Sequence, residues 1–240
     1  LNTLYITMDG AYIHREREML IIEVKSQEIK KQFPALTLSG IVAIGRVMMS
    51  PDAMALCAEH QITVSFLNDR NELLAQVHGE QGGNVLLRRE QYRIADDEPR
   101  CREIVRCIVA AKISNARAVL QRDARNHPDN HGDGSAAAAI DRLSRIKTCV
   151  AEADSADSIR GYEGEAARVY FSAFNALLNA ESGFSLTERT RRPPRDPMNA
   201  VLSFIYVLLY HECRGACEAV GLDPAVGFLH GLRPGRPSLA

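Results

Sequence analysis

The periodicity of the apolar residues changes once along this chain, and that change limits the fold more than any other feature. Through the first 80 or so residues the apolar stretches are short and often β-branched: Leu4-Tyr5-Ile6-Thr7, Met19-Leu20-Ile21-Ile22-Glu23-Val24, Leu36-Thr37-Leu38, Gly40-Ile41-Val42-Ala43-Ile44, Ile62-Thr63-Val64-Ser65-Phe66 and Leu73-Leu74-Ala75-Gln76-Val77. Turn residues bound them, which is the pattern of strands. Asn68-Asp69-Arg70-Asn71 reads as the hairpin loop joining the last two. One helix interrupts the series, capped by Ser50 with Pro51 at its first position and continuing from Ala53 to Glu59.

The change falls at Gly79-Glu80-Gln81-Gly82-Gly83-Asn84, a flexible joint without the GxxxxGK[ST] pattern of a phosphate loop. Beyond it the spacing is helical. Residues 98–126 carry apolar side chains at 104, 108, 111, 116 and 119, residues 136–153 continue the pattern, and residues 157–180 form a long amphipathic stretch. An exposed loop is expected at 127–135 and an Arg/Pro linker at 189–195. Asp196 can cap a last helix that has Pro197 at its first position and Gly221 at its end. The expected class is α+β: a small N-terminal β-sheet domain (1–80), a linker (81–97) and a larger all-α domain (98–240).

Several function classes are excluded or left without support. No apolar run approaches the roughly 18 residues needed to span a bilayer, and Leu1-Asn2-Thr3-Leu4-Tyr5 does not open a signal peptide. The six cysteines lack CxxC spacing and read as small buried hydrophobes in a reducing cytosol. His211, Cys213 and Cys217 are close in sequence but short of the four paired ligands of a structural zinc. The net charge of −1 does not announce a nucleic-acid binder. Locally the picture differs: residues 88–125 hold ten Lys/Arg against six Asp/Glu, and Arg189, Arg191, Arg192 and Arg195 fall within seven residues. Such clusters suit phosphates, although a solvated helix face and a polar loop produce the same composition.

Three places carry candidate chemistry. On the 157–180 helix, Ile159, Ala166, Tyr170, Ala173 and Leu177 share a face, and Glu163 falls within it while Glu165 points to solvent. A carboxylate on a core-facing stripe must be paired, held neutral or given a metal. On the last helix the stripe is Leu202, Tyr206, Leu209 and Cys213, with Asn199 at its N-terminal end. That amide either joins a polar site or is satisfied by nearby backbone. Finally, Gly221-Leu222-Asp223-Pro224-Ala225-Val226-Gly227-Phe228-Leu229-His230 presents an imidazole at the end of a shaped apolar approach, where a satisfied core histidine is the alternative. His14, His60, His78, His127 and His131 have no comparable setting and read as surface or loop residues.

These three segments also carry a resemblance. Gly161-Tyr162-Glu163-Gly164-Glu165-Ala166-Ala167-Arg168-Val169-Tyr170-Phe171 is similar to the GxEGxxAxxYF helix of the CRISPR adaptation endonucleases. Arg191-Arg192-Pro193-Pro194-Arg195-Asp196-Pro197-Met198-Asn199-Ala200-Val201-Leu202-Ser203-Phe204-Ile205-Tyr206 resembles their Arg/Pro block, and residues 221–230 resemble their GLDPxxGFxH block. Asn2-Thr3-Leu4-Tyr5-Ile6-Thr7 and Asn84-Val85-Leu86-Leu87-Arg88-Arg89-Glu90-Gln91-Tyr92 look like the form accompanying type I-C systems. The likeness runs along essentially the whole chain.

The resemblance implies spacer acquisition: a divalent-metal-dependent DNA endonuclease and integrase that joins prespacer 3′-OH ends to the CRISPR repeat. It implies Glu163 and His230 as ligands of Mn²⁺ or Mg²⁺, Asn199 and Tyr206 in supporting roles, and Arg189, Arg191, Arg192 and Arg195 on DNA phosphates. It further implies a cytoplasmic homodimer built through the β domain. The small second Cas protein of the adaptation complex is its partner, and an end-processing Cas nuclease is a further candidate. In the family an acidic ligand follows the histidine, whereas Arg236-Pro237-Ser238-Leu239-Ala240 stops just before that place. The expectation is therefore a third ligand beyond Ala240, no segment packed behind His230, and a chain that binds Mn²⁺ weakly and has little or no nuclease or integration activity. The alternative function is a DNA-binding assembly subunit that does not catalyse.

Overall fold

The computed structural model describes residues 2–70, 72–77, 79, 84–128, 134–178, 182–191 and 193–240. The chain divides into two compact units. One comprises Leu1–Arg89, Phe204–Pro224 and Ala240, and the other Glu90–Ser203 and Ala225–Leu239.

The first unit holds two four-stranded sheets and a helix. β1 (Thr3–Ile6), β5 (Gly40–Ile44) and β7 (Thr63–Leu67) run parallel, and β8 (Leu73–Val77) closes onto β7 as an antiparallel hairpin. The second sheet has the order β4 (Ile29–Pro34), β3 (Met19–Val24), β2 (Tyr12–Glu16), β6 (Met48–Met49). Ile41, Val42 and Ala43 of β5 are all buried, as a parallel strand covered on both faces requires. Ile6, Ile13, Leu20, Ile22, Ile41 and Val64 from the two sheets meet Leu56 and Cys57 of α1 (Pro51–Glu59) in one core.

Local chemistry sets the connections. Ser50 Oγ accepts the Ala53 N–H at 3.2 Å and Pro51 opens α1, as its sequence indicated. In the β7–β8 loop, Asn68 Oδ1 accepts the N–H groups of Arg70 and Glu72, both at 2.9 Å, an Asx turn. Leu36-Thr37-Leu38, expected as a strand, instead lies in a 3-10 turn over Ala35–Thr37. Its Thr37 hydroxyl donates to Pro34 O at 2.8 Å, and this local bond competes with pairing.

The second unit is built on α3 (Glu98–Asn126), α4 (Ser135–Glu152) and α5 (Ala156–Ser172). Val105, Val109, Ile113 and Leu120 of α3 pack with Leu143, Ile146 and Val150 of α4 and with Ile159 and Ala166 of α5. The expected α3 stripe was out of phase: Ile108 and Val119 are exposed, and the buried face lies one residue further on. The 157–180 stretch is helical only to Ser172 and then tightens into a 3-10 turn, Phe174–Leu177. Residues 81–97, read as a linker, contain α2 (Val85–Asp96), because Asn84 Oδ1 caps it by accepting the Leu87 N–H at 3.1 Å.

The last helix, α6 (Pro197–Val220), contributes its first turns to the second unit and Phe204 onward to the first. The expected division at 80 and 97 places all of it in the helical domain. In the first unit the face of α6 turned inward carries His211 and Gly215; of the expected stripe Leu202, Tyr206, Leu209 and Cys213, Tyr206 and Leu209 are half exposed while Leu202 and Cys213 are partly buried. Tyr5 Oη donates to Glu212 Oε1 at 2.8 Å, and a Cβ on Gly215 would stand 3.1 Å from Thr63 Oγ1. A cavity of about 410 Å³ opens beside these residues, and none of the sequence-predicted site residues lines it. Among the described residues no helix is long and apolar enough to cross a membrane.

Candidate active site

Glu163 sits in the middle of α5. Ser155 Oγ starts this helix by accepting the Ser158 N–H at 3.1 Å, and Ile159, Ala166 and Ala173 bury one face of the segment. Glu163 lies near the edge of that face, with 19% of its side chain exposed. Its carboxylate is ion-paired with Lys112 of α3, whose side chain is 56% exposed. Gly161 and Gly164 flank it, and a Cβ added at either would meet nothing within 4 Å. The helix surface is therefore open at Gly164, next to Glu163, and at Gly161, which faces the other side of the helix.

Glu165 does not point to solvent as expected. Its side chain is only 25% exposed, because Arg142 of α4 reaches it with Nε at 2.9 Å and with Nη2 as well. Two carboxylates two residues apart on α5 thus have different partners, a lysine ammonium and a forked guanidinium.

His230 is carried by a loop that the helical unit holds down at several points. Gln91, itself buried, donates Nε2–H to Val226 O at 2.8 Å, and Cys101 Sγ lies 3.4 Å from Phe228 O. Phe228 and Leu229 pack against the helical core. Gly227 is required by close approach: a Cβ there would stand 2.3 Å from Ser238 O. Ser238 Oγ also donates to Gly231 O at 3.4 Å. Residues near Ser238 therefore pack behind this loop, contrary to the expectation that nothing would.

The His230 imidazole is exposed but feels its neighbours. Partial burial pushes its pKa below the ordinary value, Arg236, Lys112 and Arg160 push the same way, and Glu163 opposes them. These neighbours favour the neutral ring, which lies within Coulombic range of Glu163 on a background of three cations. The residues present fit a divalent ion in part. The carboxylate already holds a cation in Lys112, and the neutral imidazole offers a lone pair, which are the donor types such ions accept. Among the described residues no group of three or more His, Cys, Asp or Glu converges to complete a site.

The other predicted residues are placed elsewhere. Asn199 is fully buried, and its hydrogen bonds are spent on the chain itself. Its Oδ1 accepts from Arg189 Nη1 at 2.8 Å and from the Thr190 N–H at 3.0 Å, and its Nδ2 donates to Glu188 O at 2.8 Å and Asp196 Oδ2 at 2.6 Å. Asp196 Oδ1 in turn accepts the Asn199 N–H at 2.7 Å, capping α6. That backbone bond and then the side-chain amide hold the Asp196 carboxyl below the usual carboxylate range. Asn199 is thus a clamp on the 188–196 loop. Arg189 belongs to the clamp too, also reaching Ser203 Oγ at 3.3 Å, so it is turned inward and not toward phosphate. Arg191 and Arg195 are exposed, and Arg192 lies outside the described residues. Tyr206 is half exposed, on the part of α6 that belongs to the first unit.

The basic cluster of 88–125 is likewise partly internal. Arg106 Nη2 donates to Ala153 O at 2.8 Å and its Nε to Val150 O at 3.3 Å, while Arg102 Nη1 donates to Asp154 O. Both therefore satisfy carbonyls at and just beyond the C-terminus of α4, a helix end that favours cations. Sequence reasoning missed Lys112 as the partner of Glu163. A single lysine among ten basic residues has no spacing signature, and only the crossing of α3 and α5 selects it.

A sheet unit and a helical unit that gathers a carboxylate, an imidazole and several cations define a class suited to work on phosphodiesters. Residues 4–240 match the family described as CRISPR associated protein Cas1, and the chain belongs to that family. It is 46% identical over 245 residues to the CRISPR-associated endonuclease Cas1 2 of Rhodospirillum rubrum, covering 100% of this chain and 70% of the relative. Among solved structures it is similar to a casposase bound to integration product, with a TM-score of 0.77, 26% identity and coverage of 100% of this chain and 67% of the other. A chain of a Cas6-RT-Cas1–Cas2 complex matches with a TM-score of 0.71 and 27% identity over 99% of this chain and 25% of that one.

Proposed function

We propose that this protein is an integrase of CRISPR adaptation that also cuts DNA. In the joining reaction a prespacer 3′-OH attacks a phosphodiester of the CRISPR repeat. A new P–O bond forms at the 3′ oxygen, the bond to the repeat's own 3′ oxygen breaks, and that oxygen leaves with a proton. With water in place of the 3′-OH the same displacement is cleavage. The observation that carries the reading is Glu163, paired with Lys112 and within Coulombic range of His230, in a chain of the Cas1 family.

Glu163 and His230 would hold a Mn²⁺ or Mg²⁺ ion, which when bound supplies charge neutralisation at the phosphate and activation of the nucleophile. Lys112, Arg160 and Arg236 add positive charge where the phosphodiester must lie, and Gly164 leaves room for its approach. The exposed Arg191 and Arg195 suit phosphate contacts that position DNA without reading its sequence. Asn199 and Arg189 act from behind by fixing the loop that carries those arginines. A cytoplasmic homodimer formed through the sheet unit, with the small second Cas protein as partner, completes the proposal. One structural neighbour is named for a complex with Cas2.

The reading as a non-catalytic DNA-binding subunit is favoured by one observation, the lack of a third converging metal ligand among the described residues. Strand joining separates the two. A duplex with free 3′-OH ends is incubated with a repeat-containing plasmid and Mn²⁺. Wild-type protein should yield joined product, and Glu163→Gln and His230→Ala should each lose it while still binding duplex DNA. Joining that survives Glu163→Gln overturns the site assignment.

A further inference from the structure

We propose that Lys112 is a competitor built into the cation site, an intrachain ammonium that occupies the Glu163 carboxylate and must be displaced before a divalent ion can bind there. The inference rests on the reading of Glu163 as a metal ligand.

The pair is unequal in a way that suits displacement. Glu163 is held in place on α5, with about one fifth of its side chain exposed, and it cannot retreat to water. Lys112 stands on the exposed side of α3 with more than half of its side chain in solvent, so its ammonium recovers hydration as soon as it lets go. The neighbouring carboxylate shows the opposite design. Glu165 is gripped by the Nε and Nη2 groups of Arg142, a planar fork that gives two hydrogen bonds at once. An ammonium on a flexible four-carbon stem is a point charge without that geometric hold, and it exchanges more readily for another cation. α5 therefore carries one carboxylate that is locked and one that is lent out.

The surrounding charge makes the competition matter. Lys112 acts on His230 together with Arg160 and Arg236, so an incoming divalent ion meets three positive groups and one carboxylate. Removing the lysine both frees the carboxylate and lowers that repulsion. Lys112 thus sets a threshold concentration for metal loading and keeps the carboxylate paired below it.

The test is Mn²⁺ binding, followed by the electron paramagnetic resonance of free Mn²⁺, on wild-type protein, Lys112→Met, Lys112→Gln, Lys112→Arg and Glu163→Gln. Circular dichroism confirms that each is folded, and the Gln variant serves if Met proves unstable. Neutralising Lys112 should tighten Mn²⁺ binding about two- to fivefold, the fold-change equivalent to one partly exposed ion pair. Lys112→Arg should not tighten it, and Glu163→Gln should remove the binding. If Glu163→Gln removes binding but both neutral Lys112 variants bind as wild type or more weakly, the competitor role is overturned and the metal site stands. If no Glu163-dependent binding occurs in any variant, both the site reading and the competitor role fall.

Discussion

The start of α6 and the middle of α5 both place a polar side chain on an otherwise core-facing stripe, and they treat it in opposite ways. At Asn199 every side-chain hydrogen-bonding atom has a partner from the same stretch of chain: Glu188, Arg189, Thr190 and Asp196. At Glu163 a flexible lysine answers a carboxylate with room for several donors, the adjacent Gly164 leaves empty space, and the His230 imidazole lies within Coulombic range. A polar group whose capacity is spent within the chain holds structure. One with capacity left over, facing open space, is free to serve a ligand.

The largest expected effect breaks the comparison directly. Asn199→Ala takes the Asn199 partner from the part-buried Thr190 N–H and from the Glu188 carbonyl, and Arg189 loses one as well. Such losses cost about 1 to 3 kcal/mol each before relaxation. Urea denaturation should show a loss of roughly 2 to 4 kcal/mol. Glu163→Gln removes only a partly exposed ion pair and should cost less than about 1 kcal/mol. If the two variants lose similar stability, the distinction between a spent and an open polar group fails.

The arginines sharpen the same contrast. Arg106→Ala strips donors from carbonyls at the end of α4 and should destabilise by about 1 to 2 kcal/mol. Arg191→Ala should leave the urea midpoint unchanged and weaken binding to unrelated duplexes equally, lowering the slope of log affinity against log salt by about one unit. A base-specific loss at Arg191 would mean that it reads sequence. A smaller effect is expected at Gly164→Ala. The site is helical and open, so the added methyl should stabilise by up to about 1 kcal/mol, as a helix-interior glycine is worth that much less than alanine. Strand joining should nonetheless fall if DNA approaches that surface. Unchanged joining would show that the space beside Glu163 is not used.

How far these features could be read from residues follows from their physics. β5 was legible because a buried parallel strand is apolar without interruption. α1 was legible because Ser50-Pro51 is both cap and first turn. β2 and β4 were not, since Tyr12-Ile13-His14-Arg15-Glu16 and Ile29-Lys30-Lys31-Gln32 turn charges outward. Some of those charges pair across strands, as Lys30 does with Glu16 and Glu23, and Arg15 pairs with Glu18 and with Glu59 of α1. On α3 the period was right and the face wrong, because apolar residues outnumber what one face can bury and Ile108 and Val119 are left outside. At the site, Glu163 and His230 stood out through their motifs. The inward turns of Arg102, Arg106 and Arg189 could not be foreseen, because their acceptors are backbone carbonyls and side chains brought up by folding, and composition does not record them.

The smallest expected effect lies in the sheet unit, where Tyr5 and Glu212 form another internally spent pair. Burial first, and then the Glu212 acceptor and its charge, push the Tyr5 phenol up to about 12. The folded state therefore favours the protonated phenol more strongly than the unfolded chain, whose tyrosines ionise near pH 10. The resulting stabilisation is complete below about pH 10 and is lost as pH rises toward 12. Tyr5 is 42% exposed, so solvent screens much of the interaction and the effect is modest. Lysines and other tyrosines titrate in the same window, and Tyr5→Phe cancels their contribution by serving as the reference. The difference in urea midpoint between wild type and Tyr5→Phe should be constant from pH 7 to 9 and should shrink or reverse between pH 10 and 12. A difference that stays constant across that window would place the Tyr5 phenol in contact with water rather than with Glu212, and would remove it from the class of spent groups.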